Sequence, residues 1–582
     1  MTSAKILMRC EVRKLEWGAG ALLGLLALWA HGMRYVHAGG LWRDEAGLAH
    51  LATLPSLGEV WRLLPRDSVP ILVPIAIRMF SRVAGASDQA LRGFGMTIGL
   101  AIAAALWLAA RSIGRTLPLV SLALVGGNAA FVVFGDSLRG YGLGSLFIVL
   151  GFAALGRLLA HPGPGSAAAA LLAALGAVHS LFGNAPLVAA LCAAAAIAAL
   201  WRGRRRVAVA ALGIGITAGL SLLPYAALLN EARSWSTLVS NPISLWQIVR
   251  VLAATLGPAA AVWLGLVGLG LAGVAWRLAR RRRQVAASDP FDRELEPLPA
   301  GREGPRSGAQ PAAGAAAAPA AVPAAPEARV FPDDALRLFS ALVIVLGIAA
   351  QLLFLAFLNF TPRAWYDLPL LALVGSALEP LLADLCRTPW TRLSRLVLVV
   401  ALAAVLLPAA LPRLRMRMTN ADLVARRLAL TASSGDLVVV SPWLFGVSFD
   451  RYYRGPASWM TLPQMADHRT HRHALLKAAL AAPHPIDDVL QGTRRALAGG
   501  HRVWLVGKLR VPPPGRSPPI LPPAPATAWG WNDQPYAISW ELQLGALLRD
   551  HATSLRAVPV PSADPISPLE AMPLAVADGW RP

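Results

Sequence analysis

Apolar runs of roughly 20 residues follow one another along most of the chain, separated by short polar loops. A helix rises about 1.5 Å per residue, so such a run matches the ~30 Å hydrocarbon core of a bilayer. Spans are expected at about 15–36, 92–110, 117–135, 142–160, 167–183, 185–201, 207–229, 253–276, 335–358, 365–384 and 394–412, about eleven helices in all. The fold class this predicts is a polytopic α-helical membrane protein. Two stretches break the pattern. Residues 284–334 are rich in Ala, Pro and Gly, a composition that cannot build a packed core, and predict a disordered linker between a transmembrane module (1–283) and a second helical group (335–412). Residues 413–582 alternate helix-like segments (Asn420 to Thr431, Leu475 to Ala482, Ser539 to Leu548) with strand-like ones (Asp436 to Val440, Arg502 to Val506), as in a small α/β domain.

The loop at 37–91 is the longest between early spans. Leu48, Leu51, Ala52 and Leu54 fall on one helical face, and Leu57, Val60, Leu63 and Leu64 do so again. Together with Trp42 and Trp61 they predict short helices lying along the membrane surface.

Composition sharpens this picture. The chain of 582 residues is 56% hydrophobic, and its formal net charge is +22. In a soluble protein that charge would point to nucleic acid, but here the arginines sit in short loops between apolar runs. Arg111/Arg115, Arg157, Arg202 to Arg206, Arg277 to Arg283 and Arg387/Arg392/Arg395 all fall on one side. By the positive-inside rule that side is cytoplasmic, which places the N-terminus inside and 413–582 outside, as in a bacterial inner-membrane protein. Trp17 to Val36 lacks a small-residue cleavage site and is read as a retained helix. The three cysteines, Cys10, Cys192 and Cys386, form neither a disulfide framework nor a metal cluster.

Four polar sites then fall at the outer level: Asp44-Glu45, Asp136 to Tyr141, His179, and Arg363 to Asp367. Adjacent carboxylates at a lipid–water boundary are costly to desolvate. An N-cap and first-turn role for Asp44-Glu45 explains them structurally, and an outer arginine is commonly solvated or bound to lipid phosphate. The gathering of acids and arginines on one face is harder to explain that way.

The order of these pieces resembles the polytopic GT-C glycosyltransferases, the family of protein O-mannosyltransferases and bacterial aminoarabinose transferases. The matching residues are Trp42-Arg43-Asp44-Glu45, Asp67-Ser68-Val69-Pro70-Ile71-Leu72, Gly85 to Arg92, Asp136-Ser137-Leu138-Arg139-Gly140-Tyr141, and Arg363-Ala364-Trp365-Tyr366-Asp367-Leu368-Pro369. The chain departs from many relatives at Ser68-Val69-Pro70, where they carry a His or a second Pro. The resemblance implies a polyprenyl-phosphate-linked sugar donor, an extracytoplasmic acceptor (lipid, glycan or protein) and catalysis by Asp44 and Glu45. Asp44 would take the proton of the attacking hydroxyl, with Glu45 positioning the acceptor or sharing the proton. Arg139 and Arg363 would stabilise the departing phosphate. Asp67, Asp136, Tyr141, His179 and Tyr366 are the expected substrate contacts. Direct displacement would invert the anomeric centre. A divalent cation could sit at Asp44, Glu45 and Asp136, although three scattered acids do not define a metal site. Two other classes compete: a transporter or flippase, which intramembrane charge and inverted repeats would favour, and a non-catalytic envelope scaffold, in which Asp44→Asn would be silent.

Overall fold

The computed structural model describes residues 3–67, 69–114, 116–235, 244–287, 332–358, 362–525 and 532–582. The protein is a multi-pass helical membrane protein with a small C-terminal sheet. Among the described residues eight helices are long and apolar enough to cross a bilayer: Asp88–Ile113, Gly140–Ala160, Phe182–Trp201, Arg205–Glu231, Leu245–Arg280, Asp334–Phe357, Leu368–Leu385 and Pro389–Leu414. The other three expected spans take different forms. Ser3–His37 is one helix of 35 residues, but His31, Arg34 and His37 make its C-terminal end polar. The stretch 117–135 is broken into Leu119–Ser121, a wider turn at Leu122–Gly126, and Ala129–Gly135. Asn128 causes the restart, because its Oδ1 caps Phe131 N at 2.9 Å while its Nδ2 donates to Thr255 O at 2.8 Å. The third is Pro164–Ser180, only 17 residues. Most of the linker expected at 284–334 lies outside the described residues, and its edges continue the helices Ala260–Ala287 and Pro332–Leu358.

Charge is not confined to the outer face. Glu379, fully buried in Leu368–Leu385, pairs with Arg395 and accepts Ser121 N at 2.8 Å. The pair lies within the bundle, toward the end of Leu368–Leu385 remote from Asp367, with Arg395 Nη2 also donating to Leu117 O at 2.9 Å.

The loop 37–91, expected on the outer side and called the first outer loop below, folds into the helices Arg43–Ala52, Leu57–Leu63 and Leu72–Ala84. Leu48, Leu51, Val60 and Leu64 are buried as their spacing predicts, in a core shared with Leu91, Leu138 and Val447, whereas Leu57 remains 52% exposed. Val447 belongs to the C-terminal domain, so the loop is packed between bundle and domain.

That domain is built on a five-stranded sheet in the order β2-β1-β3-β5-β4. β1 (Leu437–Ser441), β2 (Ser458–Thr461) and β3 (Val503–Gly507) are parallel, while β4 (Ala552–Val558) and β5 (Leu574–Trp580) close the sheet antiparallel. β1 and β3 are buried along their whole length, as expected of central strands covered on both faces. Polar contacts fasten the domain to the loop. Arg451 meets Asp88 at 2.6 Å, the Tyr452 hydroxyl bonds Asp88, and Arg43 meets the fully buried Glu570 at 3.2 Å.

Candidate functional site

Asp44 sits in the first turn of Arg43–Ala52, where the helix N-terminus favours a carboxylate. Its side chain is 20% exposed and faces Arg43 Nε and His471 Nε2, each at 3.5 Å from Oδ1. Its backbone carbonyl accepts Arg139 Nη1 at 3.3 Å.

Glu45 points the other way. It is 0% exposed, and its Oε1 accepts Arg92 Nη1 at 2.6 Å and Leu138 N at 3.1 Å. Its Oε2 folds back to Trp42 N at 3.4 Å, the carboxylate half of a capping arrangement. Arg92 also donates to Gly40 O at 2.7 Å. Glu45 therefore ties the start of its helix to the helix Asp88–Ile113 and to the turn before Gly140.

Asp67 is buried beneath Asp44. Its Oδ1 accepts Arg139 Nη1 at 3.3 Å and His471 Nδ1 at 3.2 Å, and its backbone carbonyl accepts Arg139 Nη2 at 3.3 Å. Burial alone would raise the Asp67 pKa, but the hydrogen bond from His471 and the neighbouring Arg139 guanidinium together hold it below the usual carboxylate value. The carboxylate lies so close to Arg43–Ala52 that a Cβ at Gly47 would come within 3.2 Å of Oδ2. Burial works against the Arg139 charge, and Tyr141, Asp44 and Asp67 more than offset it.

An aromatic wall adjoins these charges. Tyr141 lies 6.4 Å from Tyr366 and 6.2 Å from Trp365, and Trp365 packs edge-on against Trp42 at 6.0 Å, all between ring centroids. Burial raises the Tyr366 phenol pKa, with Asp44, Arg139 and Arg363 all close enough to act on it. Arg363 is exposed at the rim, with its guanidinium 5.9 Å from the Trp365 ring centroid. Among the described residues no carboxylate pairs with it.

Asp44, Asp67, Arg139, Tyr141 and Tyr366 thus come together, with Arg363 at the edge. Two expected substrate contacts do not join them. Asp136 is buried under His31 at 2.8 Å, packed over Gly99. His179 bonds the Tyr225 hydroxyl at 3.1 Å and Ser221 Oγ at 3.0 Å, and Tyr225 in turn accepts Ile71 N at 3.3 Å. Asp136 therefore ties the turn before Gly140 to the helix Ser3–His37, and His179 braces the loop at Ile71 through Tyr225. Nor do Asp44, Glu45 and Asp136 converge on one point, since Glu45 and Asp136 are each turned into their own pair. Among the described residues no group of three or more His, Cys, Asp or Glu side chains is arranged to hold a metal ion.

The residues missed from the sequence are His471 and His473, which the C-terminal domain inserts at the site. His471 and His473 stack with centroids 5.8 Å apart. Burial and the neighbouring His471 push the His473 pKa down to about 4, so this ring is neutral near pH 7. Their segment is pinned by Asp467, which meets Arg472 at 2.6 Å, Arg469 at 3.0 Å and Arg66 of the outer loop at 3.6 Å. One signal was available: His468, His471 and His473 are three of only 11 histidines in the chain.

No family model matches the chain, and no curated protein matches it. Among solved structures, ArnT from Cupriavidus metallidurans bound to undecaprenyl phosphate is similar with a TM-score of 0.43 and 12% identity, over 83% of this chain and 92% of that one. ArnT from the same organism in the apo state gives a TM-score of 0.42 and 11% identity, over 84% and 93%. At such identities the site's own geometry has to carry any functional reading.

Proposed function

We propose that this chain is a glycosyltransferase that moves a sugar from a polyprenyl-phosphate carrier to an extracytoplasmic acceptor. The observation that supports it most is the contrast between the two acids of the first outer loop. Glu45 is consumed by the scaffold, whereas Asp44 presents an accessible carboxylate beside buried arginine and aromatic rings. In this reading Asp44 is the general base, placed to take the proton of an acceptor hydroxyl as that oxygen attacks the anomeric carbon. The bond from the anomeric carbon to the phosphate oxygen breaks, and its electron pair stays with the polyprenyl phosphate. That leaving group is stable as an anion and needs positive charge rather than a proton. Arg363 at the rim, which no carboxylate among the described residues pairs, is the cation suited to meet it, and Arg139 supplies a fixed positive charge behind Asp44. Tyr141, Tyr366 and Trp365 provide a wall for a sugar ring. A one-step displacement inverts the anomeric centre. Asp67 is assigned to positioning, and Glu45, Asp136 and His179 to holding the scaffold.

The reading is tested by mass spectrometry of envelope lipids, glycans and glycoproteins from a deletion strain, complemented with wild type or Asp44→Asn at equal membrane levels. A glycosylated species that disappears on deletion and returns only with wild type supports the proposal and identifies the acceptor. Full restoration by Asp44→Asn removes it.

A further inference from the structure

We infer that His471, delivered by the C-terminal domain, is the positioning residue and proton relay for Asp44, so that the outer domain completes the site. This rests on the transfer reading above and deepens it. His471 stands between two acids from different parts of the first outer loop. Its Nδ1 lies 3.2 Å from Asp67 Oδ1 and its Nε2 lies 3.5 Å from Asp44 Oδ1. An ionised Asp67 only accepts hydrogen bonds, so Nδ1 is the donor, and the tautomer of the neutral ring is thereby fixed. The neutral ring then turns the lone pair of Nε2 toward Asp44. The 3.5 Å separation is longer than a hydrogen bond, as befits a site that tightens on loading.

The remaining surroundings point the same way. Arg43 faces Asp44, Arg139 shares the Asp67 oxygen with His471, and the neutral His473 stacks against the ring. Arg66, Arg469 and Arg472 gather on Asp467, four residues earlier, and hold the segment in place. The imidazole is thus the group able to change charge between two carboxylates. During transfer the acceptor O–H bond breaks and its oxygen bonds the anomeric carbon. The proton goes to Asp44 and on to Nε2. The resulting imidazolium is held by Asp44 on one side and Asp67 on the other until water removes the proton. An orientation role with a separate partner on each nitrogen is the arrangement that makes a histidine an efficient relay.

The experiment uses the full chain in right-side-out membrane vesicles, where the outer pH can be set and the glycosylated product is measured by mass spectrometry. His471→Asn retains an N–H where Nδ1 stands, and so retains the bond to Asp67, but offers no base to Asp44. We expect it to accumulate normally and to turn over about 10²-fold more slowly, and the acidic limb of the pH–rate profile to shift to lower pH, because only the Asp44 carboxylate then remains to be protonated. His471→Ala should regain part of the rate when imidazole is added. A His471→Asn rate within about twofold of wild type, too small beside the 10²-fold a relay provides, overturns the inference. So does a slowed rate with an unchanged pH profile and no rescue by imidazole, which would mean a purely structural role. Wild-type vesicles that form no product overturn the transfer reading and this inference together, whereas active wild type with an indifferent His471 overturns only the latter.

Discussion

Asp44 and Glu45 are adjacent acids, yet their removal should fail in opposite ways. Glu45→Ala deletes a fully buried carboxylate from its 2.6 Å pair with Arg92, whose side chain is 6% exposed, and strips Leu138 N of its acceptor. Breaking a buried ion pair by removing one partner costs about 3–5 kcal/mol. Arg92 keeps its bond to Gly40 O, which holds the figure toward the lower end, near 3 kcal/mol. That is still a factor on the order of 10² in the folded fraction. Asp44→Asn keeps the helix start and the volume, and disturbs only a half-open carboxylate whose neighbours Arg43 Nε and His471 Nε2 both stand at 3.5 Å. Its stability cost should stay within about 1 kcal/mol, while loss of a general base slows turnover by about 10²–10⁴. Membrane abundance and thermal unfolding in detergent read the first effect, and product formed per folded molecule reads the second. Glu45→Ala should be scarce and melt early, but each surviving molecule should work nearly normally. Asp44→Asn should be abundant, stable and inactive. A Glu45→Ala protein that accumulates and melts like wild type yet turns over slowly would refute the division of labour, because it would make Glu45 a chemical group.

Three further perturbations follow from the geometry. Arg363→Ala should leave thermal stability unchanged, since the side chain is exposed and no carboxylate among the described residues pairs with it, but weaken binding of the proposed polyprenyl phosphate about tenfold, one charge-assisted contact, in a ligand-dependent thermal-shift titration. Gly99→Ala would bring a Cβ within 2.3 Å of His31 and 2.5 Å of Asp136 Oδ1, so the buried pair must move, at about 1–3 kcal/mol, read as a lower melting temperature. In the outer domain the Asp436 pKa is depressed to about 2: burial would raise it, but hydrogen bonds from Ser433, Trp504 and Arg502 prevail. A depressed folded-state pKa means that its stabilisation is full above pH ~4 and is lost as pH falls from there toward ~2. Asp436→Asn should flatten that part of the acid-unfolding curve, measured by the fluorescence of the domain's tryptophans.

How far the sequence carried depended on whether the determining contacts were local. Runs such as 92–110 and 394–412 are settled by length and hydropathy, and both became long helices. The run 117–135 is equally apolar, but Asn128 finds Thr255 across the bundle, and that distant acceptor lets the helix restart. β1 and β3 announce themselves as unbroken apolar stretches. β4 does not, because most of Thr553 to Ala557 is not buried and its place is set by pairing with β5. The acid pair, Arg139 and Tyr366 stand out in the sequence because they lie beside the ends of recognisable spans. Asp136 and His179 lie there too, and nothing nearby in sequence reveals that His31 and Tyr225 engage them. His471 was out of reach for a related reason. Its partner Asp67 is 404 residues away, and only the docking of the two units brings them together.

That docking also explains where polar capacity is left over. Asp67 Oδ2, Arg139 Nε, Thr470 Oγ1 and His473 Nδ1 are four of the twelve buried side-chain atoms without a protein partner among the described residues. Each such atom costs about 1–3 kcal/mol if left unpaired. These four belong to the seam between the loop 37–91 and the segment Asp467 to His473, next to the Asp44 carboxylate. The other buried acids of this region are nearly saturated: Glu45 by Arg92 and two backbone N–H groups, Asp136 by His31, Glu570 by Arg43 and Ser448. A polar ligand that slots against Asp44 would meet unsatisfied donors and acceptors already aimed and desolvated, which is the preorganisation that electrostatic catalysis requires. The C-terminal domain therefore has a physical reason to be attached. Without the segment carrying Thr470, His471 and His473, Asp67 would keep only Arg139 and Asp44 would face open solvent, where a carboxylate is a weak base with no fixed partner to receive its proton.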